Sequence, residues 1–192
     1  MTEPTSALEV ERKYDVEADT CLPELSPWDV RPAERFALDA TYYDTADLAL
    51  RRARLTLRRR TGGHDEGWHL KRPAGEDRQE LRLPLQDDVP EQLVALVTEH
   101  AQGAPLRPVA HLATDRTVHV LCDPDGRPAA ELADDRVVAR RLVDGRLLQW
   151  REWEVELLGD DRLVLDRVET LVLAAGARPS TTGSKAGRVL AP

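Results

Sequence analysis

The chain has 192 residues and a mass of 21.5 kDa, with 41% apolar and 32% charged residues, which points to one globular domain over residues 1–192. Its longest apolar runs fall far short of a membrane span, and the start Met1-Thr2-Glu3-Pro4-Thr5-Ser6 has neither the basic nor the apolar stretch of a secretory signal. A cytoplasmic protein with no membrane partner is therefore expected. Two cysteines, Cys21 and Cys122, exclude a disulfide framework and read as buried free thiols. A formal net charge of −8 argues against nucleic acid as the partner.

In chain order, residues 8–16 alternate, with Leu8 and Val10 on one side and Glu9, Glu11 and Lys13 on the other, the period-two signature of a strand with one charged face. Residues 36–43 read as a second strand and 46–52 as a short helical connection. Residues 54–60 form a third strand on which Arg54, Thr56, Arg58 and Arg60 share a face. Turn chemistry over 61–67 predicts a hairpin to 68–72, with His69 and Lys71 on one side. Residues 79–85 alternate again, setting Glu80 and Arg82 opposite Leu81, Leu83 and Leu85. Helices are expected over 90–102, started by Pro90 and stopped by Gly103, and over 160–175, stopped by Gly176. Four further strands are read at 117–121, 129–133, 137–143 and 147–157, the last carrying Glu152, Glu154 and Glu156 on one face. The pattern predicts a mainly β, α+β fold: an eight-stranded antiparallel sheet closed into a barrel, with flanking helices and a charged interior.

The charge is unevenly distributed. Residues 51–60 hold six arginines and no acid, which implies an anion site or a basic face. Arg51, Arg52 and Arg59 read as solvated. Only three of the 27 basic residues are lysines, Lys13, Lys71 and Lys185. A compact ammonium suits single phosphate oxygens, whereas a guanidinium suits flat bidentate contacts. Glu9 and Glu11 stand roughly 6–7 Å apart along their strand, and Glu154 and Glu156 repeat the spacing. Two such carboxylates at about 5 Å repel by roughly 3 kcal/mol at an effective dielectric near 20. A cluster of this kind raises a pKa or recruits a hard divalent cation, Mg²⁺ or Mn²⁺. Lys13, Arg58, Arg60, Lys71, Arg82, Arg116 and Lys185 supply the opposite charge. Acids and bases facing one cavity would hold a metal and a polyanion together, as phosphoryl transfer requires. The five histidines show no ligand spacing. No glycine-rich phosphate loop, nucleophile elbow or paired-cysteine motif is present.

Glu9-Val10-Glu11-Arg12-Lys13 resembles the ExExK signature of the CYTH family, the triphosphate tunnel metalloenzymes. Further elements follow in order: Tyr42-Tyr43-Asp44-Thr45, Leu57-Arg58-Arg59-Arg60, Leu70-Lys71, Glu80, Arg116, Glu154-Val155-Glu156-Leu157 and Ser184-Lys185, so the likeness spans residues 8–185. It implies a tunnel in which Lys13, Arg58, Arg60, Lys71, Glu80, Arg82, Arg116 and Lys185 contact a small triphosphate substrate. In that reading Glu9, Glu11, Glu154, Glu156 and Asp134 hold one or two ions of Mg²⁺ or Mn²⁺, and Glu11, Lys13 and Glu154 are the catalytic set. Alternation leaves open whether Asp134 or Asp135 faces inward. Thr114 stands where many members carry a second basic residue. The activity implied is metal-dependent hydrolysis of inorganic triphosphate or a related small triphosphate, by a monomer or homodimer. Alternatives are an adenylyl cyclase, a thiamine triphosphatase, a non-catalytic polyphosphate or nucleotide sensor, and a module docking through residues 51–60.

Overall fold

The structure is a computed structural model and describes residues 4–191. Eleven strands form one curled antiparallel sheet: β1 (Thr5–Glu9), β2 (Glu11–Val16), β3 (Asp29–Val30), β4 (Glu34–Asp44), β5 (Thr56–Thr61), β6 (Gly67–Ala74), β7 (Asp77–Leu83), β8 (Arg107–Cys122), β9 (Pro128–Arg141), β10 (Leu147–Leu157) and β11 (Arg178–Pro179). The helices are α1 (Ala49–Arg52), α2 (Glu91–Ala101), α3 (Leu163–Ala174) and α4 (Lys185–Val189). Strand order is β1-β7-β6-β5-β4-β8-β9-β10-β2-β11, with β3 beside β8.

The mainly β character agrees with the pattern of the sequence, but the closed eight-stranded barrel is not what the ladders describe. They run as an open path. Its two flanks are joined through the chain itself, because the expected strand over 8–16 is divided at Val10. The part before Val10 pairs with β7 (Ala7 opposite Glu80), and the part after it pairs with β10 (Lys13 opposite Glu154). The expected strand at 117–121 is the end of the sixteen-residue β8. Those at 129–133 and 137–143 are one strand, the fourteen-residue β9. Arg54 precedes β5 rather than joining it, with a φ of 61° after α1.

Period-two alternation gives the sheet two unlike faces. On the outer face Tyr14, Leu132, Trp153 and Val155 pack against Val164, Leu165, Val168 and Val172 of α3. Also on the outer face, Leu57, Trp68, Leu70, Leu81 and Leu83 pack against Leu50 of α1 and Leu93 and Val97 of α2. Trp68 and Trp153 are fully buried core residues, and Trp28 and Trp150 pack at the margins of two cores.

The inner face is apolar over only one stretch. There Ala40, Tyr42, Ala110, Leu112, Val137 and Ala139 receive Ala186, Val189 and Leu190 from α4 and the residue after it. The register places Tyr42 opposite Arg58 and Ala40 opposite Arg60, so this apolar plug and the arginines share one face. The turn into α1 is fixed by Asp44, whose carboxylate accepts from the backbone N–H of Thr45 (2.7 Å), Leu50 (2.8 Å) and Arg51 (2.9 Å). The Tyr42-Tyr43-Asp44-Thr45 segment thus anchors the chain after β4 as well as contributing Tyr42 to the inner face.

Candidate active site

The rest of the inner face is charged. A cavity there is lined by Glu9, Glu11, Lys13, Tyr42, Thr56, Arg58, Arg60, Asp65, Lys71, Arg78, Arg82, Arg116, Glu154, Glu156 and the Gly183-Ser184-Lys185 segment. Ion pairs crossing it leave about 60 Å³ of open space. Every basic residue singled out by the sequence lines it. Asp65, Arg78, Glu131 and Glu152 were not singled out as site residues. Asp65 lies in a turn and has no alternation to reveal it, and Arg78 lies just ahead of the stretch read as a strand.

The basic wall is built on β5, β6 and β7. Glu80, fully buried, is its hub: its Oε1 lies 3.7 Å from both Lys71 Nζ and Arg58 Nη2, and its Oε2 accepts from Arg82 Nε. Burial opposes the Glu80 charge, but the His69 hydrogen bond and the Lys71 and Arg58 charges hold its pKa far below the ordinary carboxylate range. Lys71 Nζ also meets Glu9 Oε2 at 2.6 Å. Arg60 pairs with Asp65. Burial, then the charge of Arg58, lowers Arg60 to about 10. The Nε atoms of Arg58 and Arg60 are buried with no hydrogen-bond partner among the described residues. Such donors are costly to leave unmatched and mark where an anion would be held.

A second set is centred on Glu154. Lys13 Nζ contacts it and Glu11 Oε2, the latter at 2.9 Å. Arg116 donates two hydrogen bonds of 2.7 Å to Asp135 and one of 2.6 Å to Glu154. Lys185, the first residue of α4, places Nζ 2.7 Å from Asp135, 2.6 Å from Glu152 and 2.8 Å from Glu154. The Ser184 hydroxyl accepts from Gly187 N–H at 3.0 Å and caps α4 immediately before this lysine. Burial opposes the ammonium groups of Lys13 and Lys185, but their carboxylate partners raise both above the ordinary lysine value.

Asp134 does not belong to this set. Its carboxylate lies on the outer face in a bidentate pair with Arg151, at 2.8 and 2.7 Å. Of the adjacent pair it is Asp135, fully buried, that points inward, to Arg116 and Lys185. Successive strand residues face opposite ways, so only one of the pair can reach the interior.

Asp135, Glu152 and Glu154 bring carboxylate oxygens within 4.8 Å of one another, a grouping that could hold a metal ion. The Lys185 ammonium, however, already bridges these three. In a different row only Glu11 has such a match, Lys13. Glu131 lies opposite Glu156 in the β9–β10 ladder, and Glu156 lies opposite Glu11 in the β10–β2 ladder, so three acids sit side by side across three strands. Burial, then the nearby charges of Glu9, Glu11 and Glu131, raises Glu156 to about 7 against the pull of Lys71. Burial likewise raises Glu9 and Glu131. Glu131 and Glu156, which have no ion-pair partner among the described residues, offer hard oxygen donors of the kind that suit a hard divalent cation.

A curled antiparallel sheet whose inner face sets acids and bases around one cavity defines the class of binding fold. The chain belongs to the CYTH domain family, whose profile matches residues 7–181. An uncharacterised protein of Mycobacterium tuberculosis, in strains CDC 1551 and H37Rv, is 41% identical over 97% of this chain. The match covers 41% of that relative's own length. Among solved structures, a candidate adenylate cyclase of Bacillus halodurans superposes with a TM-score of 0.67 at 16% identity, covering 97% of this chain and 99% of that one. A Pyrococcus horikoshii protein gives 0.56 at 14% identity, covering 95% and 96%. At these identities the two structures establish a shared fold. Among the described residues no helix is long and apolar enough to cross a membrane.

Proposed function

We propose that this chain is a metal-dependent hydrolase of inorganic triphosphate or a related small triphosphate. The observation that carries the reading is that one cavity is lined both by Arg58, Arg60, Lys71 and Arg82 on β5–β7 and by Glu11 and Glu156 on β2 and β10, with Glu131 of β9 beside Glu156 in the ladder. A pure anion binder gains nothing from acids beside its ligand, whereas a polyanion bound with a metal needs both.

Glu9, Glu11, Glu131 and Glu156 are the residues that would hold a divalent cation, together with an oxygen of Glu154. When bound, Mg²⁺ or Mn²⁺ would supply Lewis-acid neutralisation of phosphate oxygens. Arg58 and Arg60, with buried Nε–H groups free to donate, grip the triphosphate through its oxygens. Glu80 holds Arg58, Lys71 and Arg82 in place before substrate arrives. Lys13, fixed between Glu11 and Glu154, and Arg116 and Lys185, fixed on Asp135, are positioned to offset negative charge that develops on the transferring phosphoryl group. Preorganisation of this kind avoids reorienting dipoles during the reaction.

A second reading, ATP as substrate with cyclic AMP as product, draws on an adjoining cavity of about 380 Å³ that shares Tyr42, Thr56, Arg78, Gly183 and Ser184 with the charged one. Leu55, Leu57, Val109 and Leu190 give it an apolar side on which an organic group could rest, and Arg51, Arg54 and Arg78 make it unsuited to a cationic group such as thiamine. The test is phosphate release from inorganic triphosphate and from ATP with Mg²⁺, with Mn²⁺ and with chelator, with the ATP reaction assayed for cyclic AMP. Metal-dependent release from inorganic triphosphate that is lost in Glu11→Gln supports the hydrolase. Cyclic AMP formation shifts the reading to the cyclase, and binding that survives chelation without turnover refutes both.

A further inference from the structure

We propose that His69 is a conditional cation of the anion-binding wall: it is neutral in the empty protein and takes up a proton from solvent when a triphosphate enters the cavity. The proposal rests on the triphosphate reading of the site. It begins with an imbalance of donors and acceptors. His69 lies on the inner face of β6 and is 1% exposed. Its Nδ1 is 3.0 Å from Glu80 Oε1 and its Nε2 is 2.9 Å from the Asp65 carbonyl oxygen. Both neighbours are acceptors where Glu80 is ionised. A neutral imidazole has one N–H, so one ring nitrogen then turns a lone pair towards an oxygen lone pair, whereas the imidazolium satisfies both.

The surroundings explain why the second proton is withheld in the empty protein. From β5, Arg58 lies opposite His69 in register and Arg60 lies two residues further along. From β7, Arg82 lies opposite His69 and Glu80 is its hydrogen-bond partner. Asp65 faces it from the turn, and Lys71 follows it on β6. Burial, then the positive charges of Arg58 and Arg60, lowers His69 to about 4 despite the opposing pull of Glu80.

A triphosphate seated on Arg58 and Arg60 changes that balance. Its negative charge cancels the two guanidinium charges that disfavour the imidazolium, while Glu80 and the Asp65 carbonyl remain in place to accept both N–H groups. The ring gains a proton from water and breaks no bond. Protonation in turn strengthens the hold on Glu80, the hub of the wall, so anion binding and proton uptake favour each other.

The experiment titrates the full chain with inorganic tripolyphosphate in chelator, near neutral pH, by calorimetry in buffers of different ionisation enthalpy. The wild type is expected to take up about one proton more per ligand than His69→Asn. Nitrogen NMR of the wild-type histidines, free and saturated, reads the same event without any substitution. One protonated ring nitrogen in the free protein and two in the complex is the expected result. Tight binding with a neutral His69 ring in the complex, or a doubly protonated ring already in the free protein, overturns the proposal and leaves the triphosphate reading standing. Absence of binding in chelator overturns this proposal, and if phosphate release from inorganic triphosphate with Mg²⁺ and Mn²⁺ is absent as well, it overturns the triphosphate reading too.

Discussion

Replacing Glu156 by glutamine is expected to stabilise the metal-free protein, by an amount that grows with pH. Glu156 sits between Glu131 and Glu11 across the ladder, and burial together with these acids and Glu9 raises it from 4.5 to about 7. In the unfolded chain the carboxyl ionises at its ordinary pKa, so between pH 4.5 and 7 the folded state binds the extra proton. Stability therefore falls as pH rises through that window. Below it the group contributes nothing. Above it the ionised carboxylate costs the folded state at most about 3 kcal/mol. Glutamine keeps the shape and removes the charge, so its benefit is near zero at the acid end and approaches that figure at the alkaline end. For a domain of this length the full effect corresponds to a rise in melting temperature of roughly 6–12 °C. Scanning calorimetry of both proteins in chelator, near pH 5 and near pH 8, measures it. An equal shift at the two pH values, or a loss of stability at the higher one, would refute the charge-repulsion argument. Saturating Mn²⁺ should raise the melting temperature of the wild type and do so less for the variant, because the ion supplies the charge that the acid row lacks.

Lys185→Met leaves Asp135, Glu152 and Glu154 without their shared ammonium. Removal of one partner from a buried ion cluster costs about 3–5 kcal/mol, read as a lower denaturant midpoint, and an unchanged midpoint would remove Lys185 from any structural role. Neutralising the two adjacent acids of β9 should give opposite results. Asp135→Asn breaks the paired contact with Arg116 and is expected to lower triphosphate turnover at least tenfold, while Asp134→Asn loses only its outer-face pairing with Arg151 and is expected to leave turnover within about twofold. Equal losses in both variants would contradict the assignment of faces.

Much of the inner face was legible because alternation in a strand assigns side chains without knowledge of the partners. Glu9, Glu11 and Lys13, and likewise Arg58 and Arg60, carry inward-facing charge at every second position, with Val10, Tyr14 and Leu57 packed on the opposite face and Arg12 and Arg59 turned outward among them. The same logic stops at Asp134-Asp135, where two acids occupy consecutive positions. Which one turns inward depends on whether Arg116 or Arg151 lies across the ladder, and only the register supplies that. The unbroken course of β9 depends on a related feature: the charged stretch Asp134-Asp135-Arg136 interrupts its apolar pattern, and Arg151 outside and Arg116 inside pair with the two acids as the ladder runs through. Neither Asp65, in a turn, nor Glu131, one acid among several, has a pattern of its own. The division at Val10 has no local signal either, since the residues before and after it alternate without interruption. Their different partners are a property of the curled sheet.

The position of the apolar residues explains how this sheet tolerates such an interior. Buried ion pairs are poor stabilisers, because desolvation offsets much of their attraction. Here the hydrophobic burial is placed elsewhere, on the outer face under α1, α2 and α3 and in the plug formed with α4. The inner charges are therefore free to be arranged for a ligand rather than for the fold. Their imperfect pairing then has a consistent meaning. Donors without acceptors at Arg58 and Arg60 lie on the cationic wall, and acids without bases at Glu131 and Glu156 lie on the anionic one. Each deficit is of the sign that the opposite component of a metal–triphosphate complex would correct, and neither can be corrected by the other wall without closing the cavity.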